Sequence, residues 1–351
     1  MPYLICVIAF IISSLAIPSL ISIANDKGAV SFPGNRHIHT CPTPKFGGIA
    51  IALSVLLISP FIFTIDKVIG AYLLASSLIL ILGIIDDLRG ANWTMKLGFS
   101  LAATSILVFG GGIWITNLGN LSGSGDIQLG LWGIPFTYFA VFGVMNAINL
   151  IDGLNGLACG ISSIAFLSYA VLASASGNET VLYFSLASLG AALGLLKYNY
   201  PFARIFMGDS GSLFLGFSLA ALAILLTQGE GTINPIVPVL ILGIPIFDTV
   251  RVLIIRIINK RPPFVGDKAH LHHLMLRSGM PPNRVVITIW IISSLASLLA
   301  FLLFTYDSWI TLAVFCIVCM SIGIFINNLR ILKLRTAGKK EGRPQYLSIS
   351  P

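Results

Sequence analysis

Charge is what this sequence has least of. Only 21 Lys and Arg and 13 Asp and Glu occur among 351 residues, 10% of the chain, where a soluble domain carries about 25%. So few charges cannot coat a protein of this size in water, which excludes a soluble globular enzyme. The 56% of hydrophobic residues excludes a disordered chain. Cysteine is also scarce: Cys6, Cys41, Cys159, Cys316 and Cys319 make an odd count of five, four of them in apolar runs. That excludes a disulfide scaffold. Cys316 and Cys319 form C-x-x-C with no second Cys or His pair nearby, so they read as small packing residues rather than a zinc or redox site. The first apolar run, from Leu4, lacks a basic n-region and a convincing cleavage site and reads as a retained span. No internal repeat relates two halves of the chain.

Long apolar runs are what the sequence has instead. The expected fold is an all-α polytopic membrane protein with eleven spans, near Leu4–Ile23, Gly47–Phe63, Val68–Ile85, Leu97–Ile115, Leu131–Leu150, Leu157–Ser176, Val181–Leu196, Ser212–Thr227, Ile233–Ile254, Val285–Phe304 and Trp309–Ile326. A span takes about 20 apolar residues, and only helices or closed barrels satisfy their backbone in lipid. Eleven spans put segments 24–46, 86–96, 151–156, 197–211, 255–284 and 327–351 on one side, which with Arg251 at the adjoining span end holds 20 of the 21 basic residues and all five histidines; Lys67 alone is opposite. Basic residues mark the cytoplasmic side, so the N-terminus is expected outside and the C-terminus inside. Residues 1–328 then form one transmembrane catalytic domain and 329–351 a basic cytoplasmic tail, which also suits an anchor to anionic lipid. The net charge of +8 is thus a topology signal and no sign of nucleic-acid binding.

Four constellations lie on the inner side. Asp86 and Asp87 end an apolar helix, where an adjacent acid pair repels itself unless a divalent cation or a proton-transfer task justifies it. Asn146, Asn149 and Asp152 recur at three-residue spacing and share one helix face. They form either an interhelical polar clamp or a ligand wall, with Gly153 and Gly156 permitting close backbone approach. Asp209, between glycines in FMGDSGS (206–212), is either a helix cap with Ser210 or Ser212 or a hard-cation ligand beside free N–H groups. The longest inner loop carries Arg256, Lys260, Arg261, Asp267, Lys268, His270, His272 and His273. It suits a polyanion-binding lid better than a zinc site, since no cysteine is near. The basic, Pro/Gly-ordered stretch 36–48 is either a connector or part of the same face.

Acids for a cation, basic groups for phosphates and glycines for close approach, open sideways to lipid, imply phosphoryl transfer between a soluble phosphorylated donor and a lipid phosphate. A transporter would place its polar groups near midplane and often show inverted repeats. A non-catalytic lipid-binding scaffold gives no reason for the acid pair.

The Asp86–Asp87 pair, NAINLIDGLNG (146–156), FMGDSGS (206–212), HLHH (270–273) and PTPKFGG (42–48) together resemble the polyprenyl-phosphate N-acetylhexosamine-1-phosphate transferases, spread over residues from about 36 to 284 in the family's order. Leu271 interrupts the histidines, so the chain is similar to the H-x-H-H branch that transfers simple amino sugars, not the muramoyl-pentapeptide branch. The resemblance implies an eleven-span enzyme of the bacterial inner membrane that faces the cytoplasm. It would transfer N-acetylglucosamine-1-phosphate, or another N-acetylhexosamine-1-phosphate, from a UDP-sugar to undecaprenyl phosphate. UMP is released and a lipid-linked surface polysaccharide such as O-antigen is begun. It implies Mg2+, with Mn2+ as an alternative, held by Asp209 with Asp87. Asp86 would act on the lipid phosphate. Asn146, Asn149, Asp152 and Phe206 would line the nucleotide pocket, with Phe206 on the uracil. Arg256, Lys268, His270, His272 and His273 would hold the diphosphate and sugar. A homodimer is implied by family analogy. Asn155 stands where many members carry Asp, and Lys268 where Arg is usual, which keeps a charge without the bidentate fork. Single displacement and a phospho-aspartate at Asp86 are both open.

Overall fold

The computed structural model describes residues 2–32, 42–228, 233–260 and 269–341, with side chains as far as residue 328. The expected role of Lys268, the loop residues Arg261 and Asp267, and positions 36–41 of the Pro/Gly-ordered stretch fall outside these residues. The described chain is mainly helical, with a two-residue antiparallel pairing of β1 (Val30–Ser31) with β2 (Thr43–Pro44) and an isolated bridge between Asn117 and Gln128.

Among the described residues, nine helical segments are long and apolar enough to cross a membrane. They are α1 (Pro2–Lys27), α3 (Lys67–Arg89), α4 (Trp93–Ser105, continued by a π-turn to Gly111), α5 (Gly133–Ile151, led in from Gly130), α6 (Leu157–Ser176), α7 (Glu179–Asn199), α8 (Gly208–Gln228), α12 (Pro282–Leu303) and the first 21 residues of α13 (Ser308–Glu341). The other two expected spans differ in kind. The second, α2 (Gly47–Ile62), is only 16 residues long. The ninth breaks at Leu242 into α9 (Val237–Ile241) and α10 (Gly243–Ile258). The short helix α11 (Leu271–Arg277) precedes α12. Two expected runs prove longer than their hydrophobicity, α7 at both ends and α8 at its start, because polar residues cap and extend them.

Local chemistry sets several ends. Asp66, Asn92 and Asn178 accept from Ile69, Met95 and Val181 N–H at 2.8, 2.8 and 3.0 Å and so cap α3, α4 and α7. Gly90 and Gly177, at φ +75° and +74°, end α3 and α6. Helix α8 is the axis of the bundle: 89% of its most apolar window is buried, against 17% for α13 at the periphery. Helices α3 and α5 flank α8, while α1 and α6 pack on α7.

Candidate functional site

The site begins where α3 meets α8. The first N–H groups of any helix lack intrahelical partners. In α8 two of them are taken by a residue of another helix. Asp87, 4% exposed, accepts from Asp209 N–H at 2.9 Å through Oδ1 and from Ser210 N–H at 3.0 Å through Oδ2. The cap expected of Asp209 with Ser210 or Ser212 is therefore supplied by Asp87. Gly208 leads into this turn at φ +71°, and a Cβ there would stand 2.6 Å from Asp87 Oδ2. One turn deeper, a Cβ on Gly83 would stand 2.3 Å from Ser210 Cα, so the two backbones nearly touch.

Asp86 points elsewhere. It accepts from Ala91 N–H at 2.6 Å and forms an ion pair with Lys96 at the start of α4. The same ammonium lies 3.4 Å from Asp209 Oδ1. Lys96 thus joins Asp86 to Asp209. Asn149 completes the group from α5, donating to Asp209 Oδ1 at 2.6 Å and to Ser212 Oγ at 2.8 Å. The Asp209 side chain is 32% exposed and that of Asp86 8%, so Asp209 is the carboxylate that meets solvent.

Asp209 opens onto a cavity of about 450 Å³. Its walls include Asn149, Asp152, Phe206, Ser212 and His273 among the expected motifs, together with Lys45, Asn155, Asn199 and Asn283. Lys45 is brought there by backbone pairing: Phe206 N–H donates to Pro44 C=O at 2.7 Å, and Gly47 and Gly48 N–H donate to Phe206 and Met207 C=O at 3.0 and 2.8 Å. The PTPKFGG stretch is thus part of the site and not a mere connector. Asn199 ties two motif loops together, accepting from Gly156 N–H at 2.6 Å and donating to Ile205 C=O at 2.9 Å. Burial, then the charges of Asp209 and Asp87, push the Asp152 carboxyl up to about 8.

Not every expected residue reaches this cavity. Asn146 donates to Phe142 C=O in its own helix, and neither it nor buried Arg256 lines the walls. The three-residue spacing drifts round the helix, so Asn146 leaves the face that Asn149 holds. His270 and His272 are 4% and 1% exposed and stand behind His273. His270 Nδ1 pairs with Asp248 of α10 at 2.8 Å. His272 has no hydrogen bond on either ring nitrogen, and its ring packs on Gly153, where a Cβ would stand 2.3 Å from Nε2.

Among the described residues no three His, Cys, Asp or Glu side chains form a ready metal cluster. Magnesium requires no such cluster, because it binds through one or two carboxylates together with substrate phosphates and water. Asp209 fits such a role, since among the described residues its hydrogen bonds engage Oδ1. Both oxygens of Asp87 accept from the α8 backbone and Asp87 does not line the cavity, so Asp209 is the freer of the two carboxylates. Lys96 and Asp248 were not singled out from sequence, because each looks like an ordinary charge on an apolar helix. For Lys96 the nearest signal was its place in the first turn of α4; Asp248, in the body of α10, offered none.

The chain matches the glycosyl transferase family 4 pattern over residues 69–227. It is 36% identical over 313 residues to the "Probable undecaprenyl-phosphate N-acetylglucosaminyl 1-phosphate transferase" of Bacillus subtilis (strain 168), covering 87% of each chain. It is 31% identical over 318 residues to the decaprenyl-phosphate N-acetylglucosaminephosphotransferase of Mycobacterium tuberculosis (strain ATCC 25618 / H37Rv), covering 81% of this chain and 78% of that one. With the undecaprenyl-phosphate alpha-N-acetylglucosaminyl 1-phosphate transferase of Yersinia pestis it shares 28% identity over 313 residues, 85% of this chain and 84% of the other.

Proposed function

Because this chain belongs to glycosyl transferase family 4, we propose that it transfers N-acetylglucosamine-1-phosphate from a UDP-sugar to undecaprenyl phosphate, releasing UMP and starting a lipid-linked surface polysaccharide. The observation that carries this is Lys96, held between Asp86 and Asp209, the latter lining a cavity walled by amides, an aromatic ring and a histidine. Two anionic substrates need a fixed positive charge between them. The names of the relatives, each a polyprenyl-phosphate N-acetylglucosamine-phosphate transferase, support the donor and acceptor classes.

In this reading the uridine diphosphate half of the donor enters the cavity, with Phe206 against the base and Asn149, Asp152 and Lys45 around the nucleotide. Asp209 holds Mg2+, which when bound neutralises diphosphate charge and eases departure of UMP. His273 faces the sugar end. Asp86 and Lys96 orient the lipid phosphate, whose oxygen attacks the donor's β-phosphorus. The bond from that phosphorus to the bridging oxygen of UMP breaks as the new diphosphate bond forms. Asp86 is already engaged by Lys96 and Ala91 N–H, which favours a positioning task over a covalent phospho-aspartate. The charge asymmetry of the loops supports eleven crossings with this face toward the cytoplasm, α2 and the broken α9–α10 supplying the two short ones.

The test is Mg2+-dependent UMP release by purified protein given undecaprenyl phosphate and a panel of UDP-N-acetylhexosamines. Release is expected with UDP-N-acetylglucosamine, with loss of about 10²-fold or more for Asp209→Ala, the scale of removing a group that stabilises developing charge. No release with any donor sinks the assignment, full activity of Asp209→Ala sinks the metal site, and donor–UMP exchange without lipid sinks the single displacement.

A further inference from the structure

The HLHH motif reaches the cavity through His273 alone, yet α11, which carries it, is seven residues long. A helix that short has almost no stability of its own. It also lacks a local cap, since the His270 side chain makes no capping hydrogen bond. Its position must be imposed from outside.

Asp248 imposes it. This residue sits on α10, is 2% exposed, and directs both carboxylate oxygens at the start of α11. Oδ1 accepts from Leu271 N–H, the first helical amide, at 2.9 Å, and Oδ2 accepts from His270 Nδ1–H at 2.8 Å. Arg251, one turn further along α10, donates to Asp248 Oδ1 at 2.8 Å and to Ala269 C=O. The pair Asp248–Arg251 therefore grips three consecutive residues, 269 to 271. Packing carries that constraint on to the cavity. The His272 ring lies 4.2 Å centroid to centroid from His273 and is wedged on Gly153 of the cavity wall. A shift of the α11 start would move His273 and the 152–155 wall together.

We propose that Asp248 is a positioning residue for donor binding: through the first turn of α11 it sets where His273 and the Gly153 loop stand in the cavity. The proposal rests on the reaction put forward above. Asp248 touches no substrate, so its loss should weaken the donor complex and leave the acceptor and the chemical step nearly alone.

The measurement is steady-state kinetics of the full-length protein in detergent, varying UDP-N-acetylglucosamine and undecaprenyl phosphate separately. Asp248→Ala is expected to raise KM for the donor about tenfold, with kcat and the acceptor KM changed by less than about threefold. A purely structural defect would shrink the active fraction, lowering apparent kcat with the donor KM unchanged, and that result overturns the proposal. Asp248→Asn still offers an acceptor to Leu271 N–H, and His270 can reverse its tautomer to meet the amide. It should bring the donor KM back to within about threefold of wild type; a value no better than that of Asp248→Ala rejects the capping role. Asp248→Ala combined with His270→Ala should raise the donor KM by less than the product of the two single effects, since the two residues share the Asp248–His270 contact, whereas fully multiplicative effects count against the proposal. Absence of UMP release from the wild-type protein would instead show that the underlying reaction is wrongly assigned.

Discussion

His272 shows how much a single residue can cost a site and still be kept. It is buried with neither nitrogen hydrogen-bonded, and burial, then the charges of His273 and His270, push its pKa down to about 3. An unfolded histidine titrates near 6.5. Between those values the unfolded chain binds the extra proton, so stability is full above about 6.5 and is lost as pH falls toward 3. The wild-type protein should lose thermal stability in detergent between pH 7.5 and pH 5, and His272→Phe should lose less over the same interval. Equal slopes for the two would show that His272 is not the group responsible. Its ring fills the space that Gly153 leaves, joining α11 to the cavity wall.

At the scale of elements, three helices meet at one point through glycine. Gly48 of α2 and Gly83 of α3 both lie against the first turn of α8; added Cβ atoms would stand 1.9 Å from Gly211 N and 2.3 Å from Ser210 Cα. Overpacking of this kind costs roughly 1–3 kcal/mol. Gly83→Ala should lower the melting temperature and kcat together, whereas Gly98→Ala, with nothing within 4 Å of its Cβ position, should change neither. A Gly83→Ala protein with unchanged kcat would mean that the α3–α8 contact does not set the reacting geometry. The sequence announced most of these helices, because apolar runs and their caps are local. It could not announce the break at Leu242, where α10 carries the Asp248 that faces α11, since run length alone does not separate one helix from two. The acid pair and the FMGDSGS turn were legible as a site. The division of labour between Asp86 and Asp87 was not, because adjacent residues on a helix point in directions about 100° apart, and only the partners, Lys96 and the α8 backbone, reveal which is which. Lys45 became a wall residue through strand-like pairing with residues some 160 positions away, a contact no local pattern carries.

Across the whole molecule, the charge asymmetry makes a claim about orientation that labelling can check. In a chain stripped of its native cysteines, Lys67→Cys should react with a membrane-impermeant maleimide in intact cells, and Lys339→Cys only after permeabilisation. The reverse pattern would invert the topology and move the cavity to the outer face. The joint between α3 and α8 has a further consequence at this scale. Asp87 fastens two helices and Asp86 meets Lys96, so the two adjacent acids are needed for unrelated reasons. A growth screen would score Asp86→Asn and Asp87→Asn alike as dead. Quantified separately, Asp86→Asn protein should accumulate to normal levels in the membrane and turn over slowly. Asp87→Asn, which leaves an α8 amide without its carboxylate, should be depleted by quality control before turnover can be measured. Equal abundance of the two would mean that the joint is not what Asp87 is for. Two letters repeated in the sequence thus conceal one determinant of lifetime and one of rate.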